Sequence, residues 1–253
     1  MNKYFNFKNK NVLIMGGSSG FGAKMAKIFN EQGSNVIIAA RNEKKLKKVK
    51  SVCKFKKKIK YYTIDVTDNY NLDYLIKNIK KNYSHLNIVL FCCGINIRDK
   101  FDNIKLNDFS NVLNTNFSSS INFYKKIFPL IKNKSKPTRI INFTSIFSNR
   151  TFEGRTSYST SKAALKMLTK NLALEWSKFN ITVNCISPGP FLTEINLPVL
   201  KNKKNYQEFC NKIPLNRFGQ IDEIISPVLF LASDYSSYVN GSEIIVDGGW
   251  TIK

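Results

Sequence analysis

Short apolar runs and amphipathic stretches alternate along almost the whole chain, and no other feature narrows the fold so far. Strand-like runs occur at 11–15 (NVLIM), 35–40 (NVIIAA), 59–64 (IKYYTI), 87–92 (NIVLFC), 139–144 (RIINFT), 181–186 (ITVNCI) and 243–246 (EIIV). Segments with helical periodicity lie between them at 21–32, 42–51, 70–82, 105–132, 157–179 and 222–233. A helix between consecutive strands makes a crossover, so the pattern predicts βαβ units and a doubly wound parallel sheet of about seven strands. Runs such as NIVLFC are apolar throughout, as burial on both faces requires. The chain has 253 residues and no Pro/Gly/Ser-rich linker, so a single three-layer αβα domain over 1–253 is expected. Ligands of such sheets sit beyond the carboxyl ends of the strands, and functional residues are to be sought there.

Several function classes fall away early. The apolar runs are too short to span a bilayer and the N-terminus MNKYFNFKNKN has no apolar core, so a cytoplasmic protein with no membrane partner is expected. The cysteines (53, 92, 93, 185, 210) are odd in number and form no CxxC, which argues against a disulfide framework and a zinc site. With His85 as the single histidine, a His-based metal site or a Ser-His-Asp triad has no material; no metal is expected. The net charge of +23 peaks in residues 41–60, where eleven basic residues face one acidic residue. That run could suit an anionic cofactor, an acidic protein or nucleic acid. Lys accompanies abundant Asn and Ile throughout, however, as a biased codon composition would produce, and no nucleic-acid motif is present, so no nucleic-acid partner is expected.

Two motifs carry chemistry. GGSSGFG (16–22) follows the first strand and opens the first helix, where glycines allow a tight turn and close approach of backbone to a pyrophosphate. Its spacing, GxxxGxG, differs from the common GxGxxG. The second strand ends Ala39-Ala40-Arg41, without the carboxylate that accepts from an NAD ribose, and Arg41 could hold a 2′-phosphate instead. NADP(H) is therefore favoured over NAD(H), with Glu43 as the rival that would reach the ribose. In TSYSTSK (156–162), Tyr158 and Lys162 are four residues apart on one helix, an angular offset of only about 40°. An ammonium so placed can influence a phenol.

With GxxxGxG, Asn116, Ser145, Tyr158, Lys162, PGPFLT at 188–193 and the closing VDGGW in order, the chain resembles the short-chain dehydrogenase/reductases over essentially its full length. The resemblance implies a Rossmann-like fold and reversible hydride transfer between a nicotinamide dinucleotide and a ketone/alcohol pair. It makes Tyr158 the general acid/base, Lys162 the group that lowers its pKa and holds the nicotinamide ribose, and Ser145 the residue that orients the substrate oxygen. Asn116 would hold a water linking Lys162 to solvent. Gly16, Ser18, Ser19, Gly20, Phe21, Gly22, Cys92 and Gly94 would line the cofactor, Asp65 and Val66 would bond the adenine, and Pro188, Gly189 and Thr193 would fix the nicotinamide. By residue type alone Asn114 rivals Asn116 and Thr144 rivals Ser145; only the family register, with Tyr158 thirteen positions after Ser145, chooses between them.

Two departures stand out: Cys92-Cys93 replaces the family's Asn-Ala after the fourth strand, and Met15 replaces Thr before the first glycine. For substrate, LTKNLALEWSKFNITVNCISPGPFLTEIN and the DGGWT ending are similar to gluconate 5-dehydrogenase-like members, which act on sugar acids. GINIRD and TNFSSS are equally similar to 3-oxoacyl-acyl-carrier-protein reductases, whose acidic carrier protein would suit Lys136 and Lys178 if these flank the site. A non-catalytic dinucleotide-binding regulator is the reading from another class. Specificity is expected in residues 189–215, and the resemblance implies a homotetramer.

Overall fold

The computed structural model describes residues 5–196 and 203–252. Seven strands, β1 (Asn11–Met15), β2 (Asn35–Ala40), β3 (Ile59–Thr63), β4 (Ile88–Phe91), β5 (Thr138–Phe143), β6 (Ile181–Pro188) and β7 (Glu243–Val246), form one sheet in the order β3-β2-β1-β4-β5-β6-β7. Every pairing is parallel. The order reverses between β1 and β4, which opens a crevice at their carboxyl ends. Helices α1 (Gly20–Glu31), α2 (Glu43–Val52), α3 (Asn69–Asn82), α4 (Leu106–Leu113), α5 (Ser119–Ile131), α6 (Thr156–Trp176), α7 (Lys203–Asn211) and α8 (Ile225–Ala232) connect or flank the strands. Alternate residues of β1 feed opposite cores: Leu13 and Met15 pack with α3, α5 and α6 residues, Val12 and Ile14 with α1 and α8 residues, and all four are fully buried. This is why β1 reads as a continuous apolar run. It is a Rossmann-like α/β fold.

Three details differ from the sequence reading. The segment 105–132 is helical without a break over 106–131, but a π turn at Asn114–Ser118 widens it between α4 and α5. The first turn of 222–233 is a 3-10 turn, Ile221–Ile224, before α8, whose own first turn accommodates Pro227 because an amide there has no helical partner. Strand β6 runs on through Ser187 and Pro188, which pair with Ile245 and Val246 of β7 and bring Pro188 to the rim of the crevice. Lys136 and Lys178, expected to flank the site, stand just before β5 and β6, at the amino end of the sheet and so at the far side from the crevice. Part of the 189–215 segment, residues 197–202, lies outside the described residues.

Candidate active site

Helix α6 carries the reactive pair to the crevice, and a buried polar chain sets its height on the sheet. Tyr124 of α5 donates to Asn142 Oδ1 near the carboxyl end of β5, and Asn142 Nδ2 donates to Thr169 of α6 at 2.9 Å. One end of α6 then meets the carboxyl end of β5, where Lys162 Nζ donates to the Phe143 carbonyl at 2.7 Å. Lys162 is 3% exposed, and burial brings its pKa down to about 8, with the Cys93 and Cys92 thiols acting the other way. Its Nζ lies 5.8 Å from the centre of the Tyr158 ring. Ser145 follows β5 directly, and its Oγ accepts from Phe147 N–H at 3.2 Å, which fixes the hydroxyl toward the cleft shared with Tyr158. Its rival Thr144 is spent on Ile186 O at 2.9 Å and Ser187.

The surroundings of the phenol act on it in both directions. Burial raises the Tyr158 pKa above its ordinary value, while the Ser145 hydroxyl and then the Arg155 and Arg98 guanidiniums pull it back. Asn116 lies behind the lining. It is fully buried in the π turn, where Oδ1 accepts from Ile95 N–H at 2.8 Å and Nδ2 donates to Ile95 O at 3.0 Å and Ser161 Oγ at 2.9 Å. The Asn116 side-chain amide is thus engaged by the Ile95 backbone and Ser161, whereas Asn114 is exposed. A Cβ placed on Gly94 would stand 3.2 Å from Lys162 Nζ and 3.5 Å from Asn116 Oδ1, so these three positions converge.

The crevice has two lobes. One is lined by Gly16, Ser19, Gly20, Phe21, Gly22, Cys92, Gly94, Ser145, Tyr158, Lys162, Pro188, Gly189 and Thr193; the other by Gly16, Ser18, Ser19, Arg41, Asp65, Val66, Cys92 and Gly94. The structure therefore gathers every sequence-singled site residue except Asn116 into the lining, and Asn116 braces it from behind. Glu43 does not line it; it pairs with Lys47 at 2.9 Å. Gly16 sits at φ +79°, and a Cβ on it would meet the Cys92 carbonyl carbon at 2.9 Å; a Cβ on Gly22 would meet Gly16 O at 2.3 Å. Strand end and helix start thus touch through backbone alone. Ser19 caps α1 without spending its side chain on the helix, so the hydroxyl and the first-turn amides face the groove.

A family model described as enoyl-(acyl carrier protein) reductase matches residues 16–251. The 3-oxoacyl-[acyl-carrier-protein] reductase of Chlamydia trachomatis is 34% identical over 244 residues, covering 95% of this chain and 97% of its own length. The chain belongs to the short-chain dehydrogenase/reductase family. A NAD-dependent glycerol dehydrogenase of Listeria innocua is 30% identical over 251 residues, 99% of this chain and 97% of the relative. A gluconate 5-dehydrogenase from Burkholderia cenocepacia, solved with NADP and tartrate, superposes with a TM-score of 0.90 at 26% identity, covering 98% of each chain. As a member of this family the protein is an oxidoreductase acting on CH–OH donors with a nicotinamide dinucleotide. The residues present fit that cofactor, since the groove floor of Gly16 and Gly22 excludes any side chain and the uncapped α1 amides offer donors to a pyrophosphate.

The family departures lie on the floor of the crevice. Cys92 N–H donates to Met15 O at 2.9 Å, and burial pushes the Cys93 thiol up to about 12, so both thiols stay neutral. Among the described residues no group of metal ligands is present and no helix is long and apolar enough to cross a membrane. Sequence reasoning missed Lys45, Asn96, Phe147, Arg155, Glu194, Phe209 and Phe218, all of which line the crevice. None belongs to a spaced motif. Phe147 and Arg155 follow motif residues or precede them closely, which is the one available signal.

Proposed function

We propose that this chain interconverts a ketone and a secondary alcohol with NADP(H), acting on a sugar acid. The observation that carries the reaction is the convergence of Ser145, Tyr158 and Lys162 beside the glycine-floored groove. The bound nicotinamide supplies or accepts the hydride. Tyr158 gives its proton to the carbonyl oxygen in reduction and takes it back in oxidation, and Ser145 donates a hydrogen bond that holds that oxygen. Burial favours the protonated phenol, the form that donates in reduction. The Lys162 ammonium holds the ribose, and Asn116 is a positioning residue that fixes the Gly94–Ile95 backbone alongside it.

Three side chains support NADP over NAD. Arg41, Asn42 and Lys45 line the adenosine lobe where a 2′-phosphate would lie, and the lobe's one carboxylate, Asp65, already faces Arg41 at 3.9 Å and accepts from Thr67. The Burkholderia enzyme carries NADP, whereas the Listeria relative is named for NAD. Asp65 and Val66 would flank the adenine; Pro188, Gly189 and Thr193 would flank the nicotinamide. The test is a panel of ketones with NADPH and with NADH, comparing keto-sugar acids with acetoacetyl thioesters. A second reading, reduction of an acyl-carrier-protein thioester, is favoured by the apolar wall of Phe147, Phe209 and Phe218 opposite the catalytic groups and by the Chlamydia relative. In the panel it would appear as preference for the thioester.

We also read the protein as a cytoplasmic homotetramer built through α4, α5 and α6. Leu106, Met167 and Leu174 stand 83%, 55% and 80% exposed on these helices, which supports burial by another copy. The cysteines are free thiols, which supports a reducing compartment. Light scattering would read the assembly, and a monomer would refute it.

A further inference from the structure

The cleft that holds Ser145 and Tyr158 also holds a cation that proton transfer does not use. Arg155, the residue before α6, lines that cleft yet is 5% exposed, with its guanidinium 5.4 Å from the centre of the Phe147 ring. Arg98, in the loop after β4, comes near enough that the two guanidiniums repel each other and both act on the Tyr158 phenol. One Arg98 Nη is buried with no hydrogen-bond partner. Among the described residues no carboxylate pairs with either arginine. The nearby acids are engaged elsewhere: Glu153 with Lys100 at 2.9 Å, and Glu194 with Lys45 at 2.5 Å.

A buried guanidinium beside a second, half-buried one of like charge destabilises the fold, and burial brings Arg155 down to about 10. Such an arrangement is relieved by an anion that both can reach. Guanidinium forks match a carboxylate's two oxygens, and the position beside Tyr158 requires that the anion belong to the same molecule as the reacting carbonyl. An acyl thioester brings no charge to that place. We propose that Arg155, backed by the field of Arg98, seats the substrate's carboxylate, so that the substrate is a small keto or hydroxy acid. The inference rests on the reading that Ser145 and Tyr158 bind the carbonyl.

The test compares 5-keto-D-gluconate with L-sorbose, its neutral counterpart bearing CH2OH in place of the carboxylate, in NADPH oxidation by the full chain and by Arg155→Gln, Arg155→Lys and Arg98→Gln. We expect Arg155→Gln to raise KM for the keto acid by about tenfold to a hundredfold with a far smaller change for L-sorbose, Arg155→Lys to restore part of the loss, and Arg98→Gln to fall between. Losing a charge that stabilises the phenolate should also move the alkaline limb of kcat/KM upward. D-Gluconate should raise the Tm of the NADPH-loaded parent and not of Arg155→Gln. Equal losses on both substrates with NADPH binding intact, or a parent enzyme indifferent to the carboxylate, would overturn the proposal. A parent that reduces no ketone yet is stabilised by gluconate through Arg155 would instead sink the catalytic reading and leave the anion seat standing.

Discussion

The two lobes of the crevice are made of different materials. The dinucleotide groove, whose floor runs through both, is backbone against backbone: Gly22 lies on the Gly16 carbonyl, and Cys92 hydrogen-bonds Met15 across the switch between β1 and β4. The substrate lobe is side chain against side chain, with Phe147, Arg155, Phe209 and Phe218 arriving from four separate segments. A backbone surface permits almost no substitution. A side-chain surface permits many, each giving a different pocket, which is where members of one family can part in substrate while sharing a cofactor.

That contrast can be broken by mutation, beginning where the effect should be greatest. Gly22→Val puts branched carbon where even a Cβ would stand 2.3 Å from Gly16 O, so NADPH binding should weaken more than about a hundredfold, read by nucleotide fluorescence. Lys162→Met should lower turnover by about 10²-fold or more and leave a thermodynamic mark. With the folded pKa near 8 against an ordinary 10.5, the unfolded chain holds a proton that the folded chain releases in that window. The lysine's burial penalty is therefore full below pH 8 and fades as pH rises toward 10.5, so the stability of the Met variant relative to the parent should fall across that interval, measured by urea unfolding. Arg41→Ala should cost about tenfold in KM for NADPH and leave NADH nearly unchanged. Phe209→Ala is the mildest: a few-fold change in substrate KM with NADPH affinity intact would show that the lobes are energetically separate.

The same contrast explains what could be read in advance. The strands and the glycine turn were legible because burial on two faces and backbone contact each restrict residue type, so β1 and Gly16–Gly22 announce themselves. Ser145 was separable from Thr144 only by family register; the structure supplies the physical reason, since Thr144 is consumed by Ile186 and Ser187. The π turn at Asn114–Ser118 was invisible because its Asn and Ser residues suit a polar helix face as well as a widened turn. Arg155 was hidden by its surroundings: in a chain of 40 basic residues one more arginine carries no signal, and only burial with no carboxylate paired to it among the described residues sets it apart. Lys136 and Lys178 erred the other way, because charge says nothing about which end of a sheet a loop occupies.

The catalytic claim is tested most directly by Tyr158→Phe, assayed for NADPH oxidation with the best ketone of the panel and for NADPH binding. We expect turnover to fall by about 10²- to 10⁴-fold while nucleotide affinity stays within a few-fold of the parent, since only the proton donor is removed. Undiminished turnover in that variant would contradict the assignment of the phenol as the acid.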